Sequence, residues 1–184
     1  MEGETIQPPH KLEWYPESLA WQIDCSKAQL RRLPTLSSLF EAIKELNLTG
    51  AITRQEAVSM VPPLLLDVQP HHMVLDTCAA PGSKTIQLIE QLHAGTPGGI
   101  PGVPPGLVVA NDVDAQRCSL LVHQTKRMVS PNLLVLNHPA QFLPVVRDEA
   151  GHVRVVDYHG VVVVVDRCRI KKMPHVKYAS IEPL

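Results

Sequence analysis

Met73-Val74-Leu75 runs directly into Asp76-Thr77-Cys78-Ala79-Ala80-Pro81-Gly82-Ser83-Lys84-Thr85. Three apolar residues, then a run of small ones, then an amphipathic stretch from Lys84 to His93 read as strand, loop and helix. Such a βα unit opens a parallel sheet, and a ligand of such a sheet sits outside the carboxyl end of a strand, against the following helix N-terminus. Small side chains let backbone approach a ligand closely, and Gly82 has the φ freedom that a tight turn needs. Small residues and position alone also suit a plain βα loop. Two familiar phosphate motifs are excluded by spacing. A P-loop needs glycine immediately before Lys-Thr and another five residues earlier, where Ser83 and Cys78 stand, and G-x-G-x-x-G is absent.

Downstream, Gly95 to Gly106 is too rich in Gly and Pro for helix or strand and reads as a surface loop. Leu107-Val108-Val109-Ala110 is a second strand, Ala115 to Val129 a helix, Leu133 to Leu136 a third strand and Val161 to Val165 a fully buried fourth. This alternation predicts a doubly wound, Rossmann-like α/β sheet of about four strands with right-handed crossovers. Asp112, in Asn111-Asp112-Val113-Asp114, follows the second strand, where an acidic side chain accepts hydrogen bonds from ribose hydroxyls. It lies farther from the glycine loop than the usual ~20 residues, an excess that the Gly/Pro insertion explains. An N-cap is the alternative role for a lone aspartate at a strand end.

Upstream, residues 1–15 read as a flexible lead-in, and Pro16 to Leu46 as two short helices broken near Pro34, with Leu36, Leu39, Phe40, Ile43 and Leu46 at helical spacing. Thr53-Arg54-Gln55-Glu56 has the form of a capping box, and Pro62-Pro63 should end or bend the helix that follows. The organisation expected is a flexible and helical segment over 1–50, a partial cofactor-binding domain over 51–168 and a divergent, disordered tail over 169–184.

With a hydrophobic fraction of 45%, the chain can bury one core, and its net charge of −1 gives no general pull toward nucleic acid. Met1 to Thr5 lacks a leader's basic and apolar regions and no apolar run is long enough for a membrane span, so a soluble, intracellular protein is expected. Cys25, Cys78, Cys118 and Cys168 stand far apart, and neither they nor His71-His72 have metal-like spacing, so no metal site is assigned. Cys25 and Cys118 read as buried apolar side chains of helices, and His71 and His72 as surface residues. Trp14, Tyr15 and Trp21 could stack on bases, though core packing is the reading preferred. Arg167, Arg169, Lys171, Lys172 and Lys177 make a basic tail that reads as a solvated end rather than a phosphate contact.

Cys78-Ala79-Ala80-Pro81-Gly82-Ser83-Lys84-Thr85 resembles the S-adenosylmethionine loop of the RsmB/Nop/Sun RNA cytosine-5 methyltransferases. Tyr15 to Trp21, Arg54 to Leu66 and Ala110 to Asp114 resemble the eukaryotic tRNA-modifying branch, and the similarity runs from about Trp14 to about His138. The resemblance implies an incomplete class I methyltransferase fold and methyl transfer from S-adenosylmethionine to carbon 5 of a cytosine in RNA, with tRNA as partner and the nucleus or nucleolus as location. It implies that Cys78, Ala79, Ala80, Pro81, Gly82, Ser83 and Lys84 cradle the methionine and ribose portion and that Asp112 holds the ribose. Two departures stand out. Where the family has an aspartate that contacts the adenine amine, Asn137-His138 is followed by Pro139, which has neither carboxylate nor N–H. Carbon 5 of cytosine also needs a thiolate added at carbon 6, and the family's Asp-Val-Pro-Cys and Thr-Cys-Ser segments are both missing. Cys168 lies near the right place, but Asp166 precedes it by two residues rather than three with no proline between, so no catalytic residue is assigned. The alternative function is a non-catalytic, truncated fragment that keeps part of a cofactor pocket. Without a fifth strand to cover it, Val161 to Val165 would be an edge through which the chain self-associates.

Overall fold

The computed structural model describes residues 7–25, 34–94, 102–143 and 161–164. The chain divides into two compact units, Met1–Val58 and Ser59–Leu184.

In the first unit, β1 (His10–Lys11) pairs antiparallel with β2 (Trp21–Gln22), and the Leu12 amide extends the ribbon by bonding to the Ala20 carbonyl at 3.0 Å. Leu12 and Ala20 are buried, so residues 7–15 are not a loose lead-in, while residues 1–6 lie outside the described residues. Nor is there a helix from Pro16. A single 3-10 turn, Pro16–Ser18, stops where Glu17 and Ser18 take left-handed φ values of 56° and 57°, which no right-handed helix continues through. Strands of two residues have no second layer to cover their side chains, and Trp14 and Trp21 stay 47% and 56% exposed rather than packing in a core. Cys25 lies outside any helix and is only half-buried. The helix α1 spans Pro34–Leu48, and residues 26–33, where a first helix before a break near Pro34 was expected, lie outside the described residues. Proline suits a first turn, because its missing N–H would have no intrahelical acceptor anyway.

The helix α2 (Ala57–Leu65) begins three residues later than a capping box at Thr53 requires, so Thr53 and Glu56 precede the helix rather than closing its first turn. It also runs through Pro62 and Pro63 and ends two residues beyond them, passing through i→i+3 bonds from Leu66 to Pro63 and from Asp67 to Leu64. The prolines remove only the bonds that would reach Val58 and Ser59, so they shorten the helix rather than cut it at once.

The second unit is a parallel sheet of β3 (Met73–Asp76), β4 (Leu107–Asn111), β5 (Leu133–Leu136) and β6 (Val161–Val164), in the order β5-β4-β3-β6. Register is regular, with Met73 opposite both Leu107 and Val161 and Val108 opposite Leu133. The chain steps outward from β3 through β4 to β5, then returns to the other side of β3, which puts the order reversal at the carboxyl end of β3. The helices α3 (Ser83–Ala94) and α4 (Ala115–Thr125) cover one face. Leu88, Ile89 and Leu92 of α3 pack on Val74 and Val108, while Leu121 of α4 packs with Ala110, Ala79 and Ala80. Val108 and Ala110 share a face of β4, so both helices lie on that side, as crossovers of one hand stepping in one direction demand. The helix expected to reach Val129 turns 3-10 over Lys126–Met128 and stops at Val129, whose φ is 47°. Side chains of Val161 to Val164 and the tail over 169–184 lie outside the described residues.

The end of the Gly/Pro insertion is anchored, not a free surface loop. Asn132, 5% exposed, donates through Nδ2 to the carbonyls of Pro104 (2.7 Å) and Gly106 (2.6 Å), and the Gly106 amide bonds to Pro70 at 2.8 Å. A Cβ on Gly106 would lie 2.5 Å from the His72 carbonyl oxygen and 2.6 Å from that of Pro70. These atoms belong to backbone and cannot rotate aside. Gly106→Ala should therefore lower unfolding stability by about 1–3 kcal/mol, read as a fall in the denaturant midpoint at unchanged slope. An unchanged midpoint would show that the turn before β3 yields.

Candidate functional site

The site is built where β3 and β4 end side by side. Asp76, the last residue of β3 and 1% exposed, accepts a 2.7 Å hydrogen bond from Thr85 Oγ1 in the first turn of α3. The two ends of the Asp76–Thr85 motif are thereby tied together, and the residues between must fold into a closed loop. Within it the Gly82 amide bonds back to the Ala79 carbonyl at 2.7 Å, and the Ile86 amide to the Gly82 carbonyl at 2.9 Å, which sets the α3 N-terminus against the loop. Gly82 has a φ of +111°, and a Cβ there would stand 3.1 Å from Leu121 Cδ1 of α4. Glycine is required on both counts.

A second set of bonds joins this loop to β4. The Ala79 amide donates to the Asn111 carbonyl (2.9 Å), and the Ala80 amide to Asp112 Oδ2 (3.2 Å). Asn111 is fully buried and links three segments, donating to the carbonyls of Thr77 (3.3 Å) and His138 (2.9 Å) while its Oδ1 accepts from the His138 amide (3.1 Å). Asn137 Nδ2 donates to the Asp112 carbonyl at 2.7 Å, so the segment after β5 closes the third side. Pro139 follows this closure and precedes a 3-10 turn, Ala140–Phe142.

Asp112 is 1% exposed and serves the protein's own backbone first: Oδ2 takes the Ala80 amide and Oδ1 the Asp114 amide at 3.1 Å. It is not the N-cap of α4. That role belongs to Asp114, whose Oδ1 accepts from the amides of Gln116 (2.8 Å) and Arg117 (2.9 Å). Arg117 completes the group, with Nη2 2.6 Å from the Ala80 carbonyl oxygen and 3.5 Å from Asp112 Oδ2.

The residues singled out in the sequence thus fall in one place: Cys78 to Gly82 lie in the loop, Ser83 and Lys84 open α3, and Asp112 lies beneath them. Asn111, Asn137 and Arg117 were not foreseen as site residues, although the first two stand in the stretches that drew attention. Cys118 is buried, its Sγ 3.6 Å from the Leu136 carbonyl oxygen, and burial, with a smaller contribution from the Asp112 charge, pushes its thiol pKa up. Such a thiol is a poor nucleophile. Cys168 lies outside the described residues. His72 is half-buried, its Nδ1 accepting from the Gln69 amide at 3.0 Å, where a surface position was expected. Among the described residues no group of three or more His, Cys, Asp or Glu could hold a metal ion, and no helix is long and apolar enough to cross a membrane.

Comparison with known proteins bears on the same segments. A family model described as 16S rRNA methyltransferase RsmB/F matches residues 63–156. The chain is 53% identical over 146 residues to a multisite-specific tRNA:(cytosine-C(5))-methyltransferase of Saccharomyces cerevisiae, covering 79% of this chain and 21% of that one. It is 50% identical over 141 residues to a tRNA (cytosine(34)-C(5))-methyltransferase of Drosophila melanogaster, covering 77% and 19%. It spans about a fifth of the length of these curated relatives. A solved methyltransferase homolog from Pyrococcus horikoshii is 26% identical with a TM-score of 0.45, over 66% of this chain and 33% of that one. With the family model covering the whole span from the end of α2 through the loop, Asp112 and β5, the chain belongs to the RsmB/F family of methyltransferases.

Proposed function

We propose that the chain carries the S-adenosylmethionine-binding part of an RNA cytosine-5 methyltransferase whose substrate is tRNA, with 51–168 as a partial cofactor-binding domain, 1–50 as an N-terminal flexible and helical segment and 169–184 as a divergent tail. The observation that carries this reading is the joining of the Cys78–Lys84 loop to Asp112 at the carboxyl ends of two adjacent parallel strands. Support for tRNA comes from relatives at 50–53% identity that are tRNA cytosine-C5 methyltransferases. The residues present fit the cofactor. Loop side chains are small, a helix N-terminus faces the loop, and Asp112 Oδ1 has a lone pair beyond the Asp114 amide it accepts. When bound, S-adenosylmethionine supplies an electrophilic methyl group. Cys78 to Lys84 take its methionine and ribose portion, Asp112 accepts from the ribose hydroxyls, and Pro139 leaves the adenine amine without a carboxylate at that position. Asp112→Asn keeps the side-chain shape while removing the charge. It should weaken S-adenosylmethionine binding by about 1–3 kcal/mol, or about 5- to 150-fold, in titration calorimetry. Equal affinity in the variant would reject the ribose assignment.

The 184 residues alone transfer no methyl group. Activation of cytosine requires a thiolate, and cofactor binding does not replace it. Cys118 is buried with a raised pKa, and Cys78 belongs to the loop that holds the cofactor. A tritium-transfer assay with bulk tRNA should therefore show no incorporation. Incorporation abolished by Cys168→Ser would instead make Cys168 the nucleophile.

The protein works inside the cell, and its place in the nucleus or nucleolus rests on family resemblance alone. It also self-associates through β6. β6 is the outermost strand of the sheet among the described residues, and an uncharged valine run at such an edge is a template for another chain. Sedimentation at high micromolar concentration should show dimers or larger species, reduced in Val163→Lys. A monomeric parent chain would mean that this edge is covered.

A further inference from the structure

In a capping box, a Glu or Gln at the third helical position reaches back to accept the N–H of the cap. In α4 the cap is Asp114 and the third position is Arg117. Arginine in a first turn opposes the positive end of the helix dipole, so its presence there needs another cause. Two contacts explain it. Asp112 Oδ1 already accepts the Asp114 amide, doing what a third-position Glu would do. The Arg117 guanidinium is then released to reach the cofactor loop, where Nη2 donates to the Ala80 carbonyl at 2.6 Å and stands 3.5 Å from Asp112 Oδ2.

The result is a closed ring of three residues. Ala80 gives its N–H to Asp112 and its carbonyl to Arg117, and Arg117 pairs with Asp112, so the two peptides that flank Ala80 are both held. Asp112 has 2% of its side chain exposed and Arg117 46%, so the arginine forms the solvent-side cover of the ring. A carboxylate alone would fix only the Ala80 amide. A guanidinium alone would fix only the carbonyl, and the Asp112 carboxylate without it would be buried with no cation beside it, which is costly.

We infer that Arg117 is a positioning residue for the cofactor site, locking the backbone at Ala80 and the Asp112 carboxylate into the geometry that binds S-adenosylmethionine. This rests on the cofactor reading above. Arg117 touches the loop and the carboxylate, not the reacting atoms. Its role therefore separates from a merely structural one by what it changes: ligand affinity and the local opening of the loop, rather than the stability of the sheet.

The test uses the full chain with Arg117→Met, which keeps the aliphatic stem, and Arg117→Lys, which keeps the charge but not the planar fork. Three quantities are measured: S-adenosylmethionine affinity by calorimetry, amide hydrogen exchange at Ala80 and Gly82, and amide exchange in β3 and β4. Arg117→Met should bind about tenfold more weakly or worse, with faster exchange at Ala80 and Gly82 and unchanged exchange in the strands. Arg117→Lys should fall between that variant and the parent. Equal affinity in parent and Arg117→Met overturns the positioning role while leaving the cofactor reading intact. Faster exchange spread equally through β3 and β4 overturns it in favour of a general packing role. Absence of binding in the parent chain rejects the cofactor reading, and the inference with it.

Discussion

Asp112 is a buried carboxylate with its oxygens committed to two backbone amides and one guanidinium, and the geometry of the whole site follows from that commitment. A carboxylate out of water must be satisfied on all sides, or its desolvation destabilises the fold. Here the satisfying groups come from different parts of the chain. Ala80 lies in the loop after β3, Asp114 opens α4, and Arg117 belongs to α4's first turn. Meeting the needs of one side chain thus sets the loop, the helix start and the strand end in a single arrangement.

The sheet makes this arrangement possible. Parallel strands end at the same level, so the carboxyl ends of β3 and β4 bring Asp76 and Asn111 next to each other, with the Asp76 position registered against Ala110. The order reversal at β3 leaves that end open between β4 on one side and β6 on the other. Alanines 79, 80 and 110 let Leu121 pack close beneath the loop, and Gly82 admits α4 where a side chain would push it away. The same smallness that suits a ligand is also what lets the helices pack.

Asparagine does the corresponding work at the two flanks. Asn111 ties the loop after β3 to the segment after β5, and Asn132 ties the residues before β4 to the start of β5. Each is 5% exposed or less. An amide side chain offers donors and an acceptor without a charge to desolvate, so it can bridge backbone groups inside the fold at lower cost than a carboxylate.

Much of the sheet and the loop was legible in the sequence, because those features are local. Apolar runs of four or five residues bounded by small-residue turns identified β3, β4 and β5 nearly to the residue, and the motif at 76–85 marked the ligand end of β3. Asp112 was recognisable by its place after the second strand. Other features depend on partners far along the chain and were not readable. The ribbon of His10–Lys11 with Trp21–Gln22 exists through pairing across a turn, without a periodic pattern, and Trp14 and Trp21, which looked like core, stay exposed. The capping of α4 by Asp114 rather than Asp112, and the reach of Arg117 back to Ala80, were decided only when the ends of β3 and β4 came together. Sequence determined which residues stand in the loop after β3 and at the end of β4, since strand period and loop composition are properties of neighbours. Tertiary structure decided how they are held, since a buried carboxylate takes whichever donors the fold delivers to it.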